Sequence, residues 1–307
     1  MVRGMPSCRS LVGSGLLTAG LLGGLLWVTT EPPPARPPLL SLAPGLPQRV
    51  VSVNITSDEI LLDLAPERLL AVSYHAADPA MSSAVREAEQ VPVKMKDDVE
   101  RLLLLAPDLV VIGAHKVDVV RQIEETGVPV VRIQGFESIE WIRTLITTLG
   151  RAVGKPERAR HLIAAMDARL AAVARRVERR PRPSVLYYSP GGFTGGRHTT
   201  LDDVIRAAGG ENVASRLGVS GWKRLSLEQA VLADPEVILL SDSKWWTTQF
   251  DRDFAAHPAF RNGRAVREGR VYVLPSRLTT TASHHVVETV ETLARLLHPD
   301  TFAGDAL

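Results

Sequence analysis

The sequence predicts an α/β protein: two Rossmann-like lobes with parallel sheets, joined by a single long backbone helix. Three observations point there. Short, apolar, β-branched runs alternate with longer helical patterns from Arg49 onward. One uninterrupted helical stretch separates two blocks of that alternation. A helix–strand unit recurs, once in each block, at a constant offset.

The strand candidates are RVVSVN from Arg49, RLLAVS from Arg68, DLVVIG from Asp108, PVVRIQ from Pro129, SVLYYS from Ser184, EVILLS from Glu236 and RVYVLP from Arg270. Each is short and dense in Val, Ile and Leu, the pattern of strands covered on both faces in a parallel sheet. Between them, DVERLLLLA, KVDVVRQIEETG and SIEWIRTLITTLG carry helical spacing. Strand and helix in alternation predict βαβ units.

One segment differs. Pro156 suits the first turn of a helix, where its missing N–H does no harm. ERARHLIAAMDARLAAVARRVERR then runs without Gly or Pro up to Pro181. Leu162, Met166, Leu170, Val173 and Val177 form one apolar stripe at three- and four-residue spacing, with Arg on the opposite face. Its place predicts a rigid connector over residues 154–181, between lobes at 49–153 and 182–307. A surface helix of a single domain is the alternative.

The two blocks resemble each other. VERLLLLAPDLVVIGAHK from Val99 aligns without gaps with LEQAVLADPEVILLSDSK from Leu227. Glu100 matches Glu228, Leu104 matches Leu232, Pro107 matches Pro235 and Lys116 matches Lys244, each 128 positions on. TSDEILLDLAPER from Thr56 likewise resembles TTLDDVIRAAGGEN from Thr199, each after a strand.

Ahead of the alternating part, Arg3 and Arg9 flank the start of an apolar run from Leu11 to Val28, followed by EPPPARPPLLSLAPGLP. A positive head before an apolar run reads as an export segment over residues 1–30. The run is also long enough to span a bilayer. Val28-Thr29-Thr30 is a poor cleavage site, so a cleaved signal and an uncleaved membrane anchor both stay open. Cys8 precedes the run, whereas a lipoprotein cysteine would follow it. Residues 31–48 make a stiff Pro-rich linker. The expected location is the periplasm or cell envelope, with attachment to the inner membrane through residues 11–28 if the segment is kept.

Composition narrows the function classes. Of 307 residues, 45% are hydrophobic and 23% charged, an ordinary globular mix. A net charge of +2 provides no field for nucleic acid. The single cysteine excludes a disulfide framework and a Cys-based zinc site within one chain.

At four places the chain resembles a known family, the helical-backbone (class III) periplasmic substrate-binding proteins of ABC importers for siderophores, haem and cobalamin. RVVSVNITSDEILLDLAPERLLAVS is similar to the family's opening strand, helix and second strand. DDVERLLLLAPDLVVIG is similar to its helix, Pro-Asp and strand signature. GRHTTLDDVIRAAGGENVA resembles the start of its second lobe, and SHHVVETVETLARLL its closing helix. The resemblance covers nearly all of Arg49 to Pro299. It implies two lobes spanned by one helix, a small-molecule ligand between them, an ABC permease and ATPase as partners, and a monomer. It also implies an acidic residue on each lobe that docks on the permease: Asp118 on the first, Asp242 or Asp251 on the second.

In open α/β sheets ligands sit beyond the carboxyl ends of the strands. The residues there are Asn54 and Thr56, Tyr74 and His75, Lys94 and Lys96, His115 and Lys116 in the first block. In the second they are Phe193 and Arg197 in a Gly-rich loop, Lys244, Trp245 and Trp246, then Arg277 and Thr279. The resemblance places Trp222 near the cleft as well. The ligand-binding candidates are therefore Tyr74, His75, Lys94, Lys96, His115, Phe193, Arg197, Trp222, Trp245 and Arg277. Aromatic walls with a few cations suit a flat, partly apolar, anionic ligand. A ferric siderophore, haem or cobalamin each fits, with no cofactor built in. His75, His115, His198, His284 and His285 fall near strand ends or helix starts. No His-Glu-x-x-His spacing marks a preformed metal site, and any metal ligand stays unassigned.

An enzyme is not expected. Gly218-Val219-Ser220-Gly221-Trp222 begins like a nucleophile elbow but lacks its last glycine and follows no strand candidate. No phosphate-binding loop or dinucleotide fingerprint is present. A binding protein that feeds an envelope sensor instead of an importer is the other alternative.

Overall fold

The computed structural model describes residues 45–242 and 258–304. Residues 1–44, with the export segment and most of the linker, lie outside the described residues, as do Lys244, Trp245, Trp246 and Asp251. None of the described helices is long and apolar enough to cross a membrane.

All seven predicted strands form, with four others of two or three residues beside them. In chain order they are β1 (Val50–Ser52), β2 (Leu69–Ser73), β3 (Val93–Met95), β4 (Leu109–Gly113), β5 (Val130–Ile133), β6 (Ser184–Tyr187), β7 (Phe193–Gly195), β8 (Glu211–Asn212), β9 (Trp222–Arg224), β10 (Val237–Ser241) and β11 (Val271–Leu274). The first five make a parallel sheet in the order β3-β2-β1-β4-β5. A second parallel sheet runs β11-β10-β6-β8. β7 and β9 pair antiparallel as a separate ribbon.

Both sheets are covered on both faces, and the side chains alternate as pleating requires. In β4, Leu109 and Val111 enter one core while Val110 and Ile112 enter another. In β10, Val237 and Leu239 join that first core, and Ile238 and Leu240 form a third with Phe260. One face of each sheet thus shares a single core with the connecting helix, and each lobe keeps a core of its own on the far face.

The connecting helix runs Pro156–Val177, with Ala159, Met166, Val173 and Val177 buried and Leu162 and Leu170 packed beside them. Burying a side chain of this size contributes roughly 1.5–3 kcal/mol. Gly150 lets the preceding helix, Ile139–Ala152, cross close by, since a Cβ there would collide with Ala159. The closing helix, Val286–Leu297, packs alongside, and Arg169 donates to both Glu291 carboxylate oxygens at 2.9 and 2.8 Å.

The repeated unit has the same backbone in both lobes. Helix Val99–Leu104 and β4 correspond to helix Leu227–Leu232 and β10, again 128 positions on. Between helix and strand, Ala106 and Asp234 both take a left-handed conformation, φ 44° and 39°. The acid before the strand plays one role twice. Asp108 accepts from the amide of Arg49 at 2.8 Å, just before β1, and Glu236 accepts from that of Ser184 at 2.7 Å, at the start of β6. Where the linker ends it is already seated: Arg68 donates to Pro47 O at 2.9 Å, and the Gln48 amide to Asp108 Oδ2 at 2.8 Å.

Candidate ligand-binding cleft

In the first sheet the strand order reverses between β1 and β4, and in the second between β6 and β10. Crevices at such reversals bind ligands in open α/β sheets. Here both reversals open on one cavity of about 560 Å³, within the usual range for ligand sites. Asn54, Ile55 and Thr56 enter it from the turn after β1, where the Asn54 side chain caps helix Ile55–Leu64 by accepting from the Thr56 amide at 3.1 Å. From the second lobe come Tyr187 at the end of β6, Ser189 and Phe193 after it, Ser241 at the end of β10, and the run Leu278 to Ala282.

The walls are aromatic and aliphatic, edged with hydroxyls. Trp222 stands edge-on to Tyr187 at 6.1 Å between ring centroids, and the Arg224 guanidinium lies 4.9 Å from the Phe193 centroid. Phe193 and Trp222 are 41% and 50% exposed, unusual for large apolar side chains and suited to covering a ligand face. Thr56, Thr200, Thr279, Thr280 and Thr281 supply the polar edge. Among the described residues the lining contains no charged side chain.

Of the proposed ligand-binding residues, Phe193 and Trp222 line this cavity. Tyr74 and His75 follow β2 in a short turn, their rings 3.8 Å apart, with Lys96 Nζ 5.6 Å from the Tyr74 centroid. These three form a group outside the lining. Burial pushes the His75 imidazole below its ordinary value, against the pull of Asp78, which favours the neutral ring. Lys94 Nζ donates to the Val91 and Glu89 carbonyls at 2.6 and 3.0 Å. His115 packs over Gly113, beside Lys116, which is paired with Asp97 at 2.8 Å. The Lys116 ammonium holds the Asp97 carboxyl below the usual range. Arg197 is exposed, and its backbone bonds to Val219 and Gly221. Arg277 donates to Glu288 Oε2 at 3.1 Å and to Ser83 Oγ at 3.4 Å, at the seam between the lobes. Of the docking candidates, Asp118 is exposed and paired with Arg121 at 3.3 Å, and Asp242 Oδ1 accepts from the Ser276 amide at 2.6 Å.

Several lining residues lacked a sequence signal. In the pair Tyr187-Tyr188 the first faces the cleft. The second lies on the opposite face near Phe260, with its hydroxyl donating to Leu225 O at 3.4 Å. Strand alternation assigns them to opposite faces but not which is which. Phe136 follows β5, and its carbonyl accepts from Thr200 Oγ1 at 2.9 Å across the lobe boundary. Beneath the cleft the lobes are joined by polar bonds. Glu59, 2% exposed, accepts from the Ser83 amide at 2.8 Å and from Ser283 Oγ at 2.5 Å.

The comparisons agree with this architecture. A family model described as periplasmic binding protein matches residues 50–278. An uncharacterised ABC transporter substrate-binding lipoprotein of Bacillus subtilis (strain 168) is 25% identical over 269 residues, 83% of this chain and 82% of the relative. A cobalamin-binding protein of Halobacterium salinarum (strain ATCC 29341 / DSM 671 / R1) is 26% identical over 263 residues, 83% of this chain and 70% of the relative. The solved apo form of a periplasmic haem-binding protein from Roseiflexus sp. RS-1 shares the fold at a TM-score of 0.70, with 24% identity over 84% of this chain and 100% of that one. A periplasmic haem-binding protein from Pseudomonas aeruginosa does so at 0.70, with 24% identity, 83% and 94%. Both sheets and the connecting helix fall inside the matched span, and the chain belongs to the periplasmic binding protein family.

Proposed function

We propose that this chain is the extracytoplasmic substrate-binding component of an ABC importer, and that it holds an anionic metal chelate with broad apolar faces between its lobes. Haem, a cobalamin and a ferric siderophore are the candidate classes. The observation that carries the proposal is the cavity of about 560 Å³ at both strand-order reversals, walled by Tyr187, Phe193 and Trp222 and edged with threonines. A free amino acid would leave much of that apolar wall wet, whereas a macrocycle or a catecholate ring covers it. The names of the relatives, which include cobalamin- and haem-binding proteins, support the same chemistry.

In this proposal Phe193 and Trp222 stack on the ligand. Tyr74, His75, Lys94, Lys96 and His115 on the first lobe, with Arg197, Trp245 and Arg277 on the second, are the candidates for its metal and acidic groups. Asp118, with Asp242 or Asp251, docks on the permease, and an ATPase drives the cycle. The protein binds and delivers and carries out no reaction. The connecting helix and the polar seam beneath the cleft limit closure to a small lobe rotation. Titrating the purified chain with haemin, cyanocobalamin and a ferric siderophore, read by tryptophan emission, tests the proposal. One-to-one quenching by at least one of them is expected. Silence with all three, alongside a response to sugars or amino acids, would overturn it.

A further inference from the structure

We propose that Asp63, His284 and His285 form a Zn²⁺ site that joins the two lobes away from the ligand cleft. Asp63 stands near the end of helix Ile55–Leu64, whose first residues, Ile55 and Thr56, line the cleft. The intervening helix is about 12 Å long. His284 and His285 immediately precede the closing helix Val286–Leu297 of the second lobe. One donor atom from each of the three lies within 4.8 Å of the others. Zinc with bonds of about 2.0–2.1 Å holds its tetrahedral ligand atoms roughly 3.3 Å apart, so small side-chain rotations complete the set.

The imidazoles themselves point to a ligand. His284 is only 7% exposed, and its Nδ1 is buried without a hydrogen-bond partner among the described residues. Its Nε2 is paired with Asp63 Oδ2 at 2.8 Å, and this contact holds the Asp63 carboxyl below its ordinary range. Buried polar groups are almost always bonded, and a metal that replaces the proton shared by Nε2 and Oδ2 would bind both once side-chain rotation widens the pair to roughly 3.3 Å. His285 pairs through Nδ1 with Glu288 Oε1 at 3.1 Å, while its Nε2 is buried and unpartnered among the described residues. A proton on Nδ1, shared with Glu288, leaves the Nε2 lone pair for a metal. This is the carboxylate–histidine pairing that stands behind many metal-bound imidazoles. Glu288 is held in turn by Ser83 and Arg277, which donate to Oε2 at 3.3 and 3.1 Å.

Two imidazoles and one carboxylate suit zinc and its borderline neighbours, not Mg²⁺ or Ca²⁺, which prefer all-oxygen sets. The Asp63 side chain is 47% exposed, which provides an access route and room for a water as fourth ligand. A metal here ties Asp63 of the first lobe to His284 and His285 of the second and fixes the angle between them. None of the three donors lines the chelate cavity, so zinc binding and chelate binding are measured separately.

The full chain, stripped with a chelator, is titrated with Zn²⁺ by calorimetry and with Co²⁺ as a spectroscopic probe. One equivalent is expected, with a visible Co²⁺ spectrum of nitrogen and oxygen ligation and a rise in Tm of several degrees under excess zinc. His284→Ala and His285→Ala should each weaken binding by roughly 100-fold or more, and Glu288→Gln by about 10–100-fold. Asp63 is half-exposed, so Asp63→Asn keeps the fold and still tests the site should His284→Ala fail to fold; at least a tenfold loss is expected. Wild-type protein that binds no zinc at micromolar concentration overturns the proposal, and so does unchanged affinity in Asp63→Asn and His285→Ala.

Discussion

Replacing Asp58 by Asn should stabilise the protein increasingly as the pH rises from about 4 to about 7, with the largest gain in alkaline solution. Asp58 is fully buried, and Ser73 donates to its Oδ2 from the amide at 3.1 Å and from the hydroxyl. Burial pushes its carboxyl from 3.8 up to about 7, against the hydrogen bonds of nearby Ser52 and Ser73. The unfolded chain releases this proton near pH 3.8, and the folded chain keeps it until about pH 7. Stability is therefore undiminished below pH 3.8, falls by about 1.4 kcal/mol per unit up to pH 7, and is level above. The loss is about 1.7 kcal/mol at pH 5 and about 4 kcal/mol at pH 8.5, upper limits because the surroundings relax around a carboxylate. An Asn keeps the bond from the Ser73 amide and does not titrate. The advantage of Asp58→Asn over wild type should thus grow by about 2.5 kcal/mol between pH 5 and pH 8.5. Urea unfolding at both pH values reads it, and the other titrating groups cancel in the difference. A ΔΔG that is equal at the two pH values would refute the reasoning.

Further outcomes follow from the same geometry. Trp222→Ala removes one of the three aromatic walls and should weaken chelate binding roughly tenfold or more without lowering Tm; unchanged affinity in an equilibrium titration would count against that wall. Ala106→Gly relieves a left-handed backbone and should stabilise by about 1 kcal/mol. Asp234→Gly should gain less, because it loses the bond from the Arg264 amide to Asp234 Oδ1 at 2.8 Å; thermal melts compare the two. Charge reversal at Asp118, Asp242 and Asp251 together should abolish import while chelate binding persists, and import that continues removes the docking assignment.

The layered part of this fold is readable because each long strand is a burst of Val, Ile and Leu buried on both faces, as in LVVIG of β4 and VILLS of β10. The offset of 128 positions is readable for the same reason, since sheet and helix constrain every position of the unit. β3, β7, β8 and β9, two or three residues each, carry no run of Val, Ile and Leu such as the one that marks the similarly short β1. The cleft is harder. A sequence shows that Lys94 follows a turn and that Arg277 follows a strand, but not that one ammonium reaches carbonyls beside it or that the other cation meets Glu288. The hydroxyl edge is half hidden: Thr56 and Thr279 follow strands and are readable there, whereas Thr200, Thr280 and Thr281 are ordinary helix and loop residues until distant segments converge. Least legible is the seam. Glu59 reads as a surface acid in the first turns of a helix, and only the tertiary fold brings it to Ser283, 224 residues away.

Hydrogen exchange with and without the chelate tests the central claim most directly. If the ligand lies between the lobes, protection must rise together in residues 54–56 of the first lobe and in residues 189–195 and 278–282 of the second, with the outer faces of both sheets unchanged. Protection confined to one lobe, or centred away from these three segments, would contradict a ligand held between them.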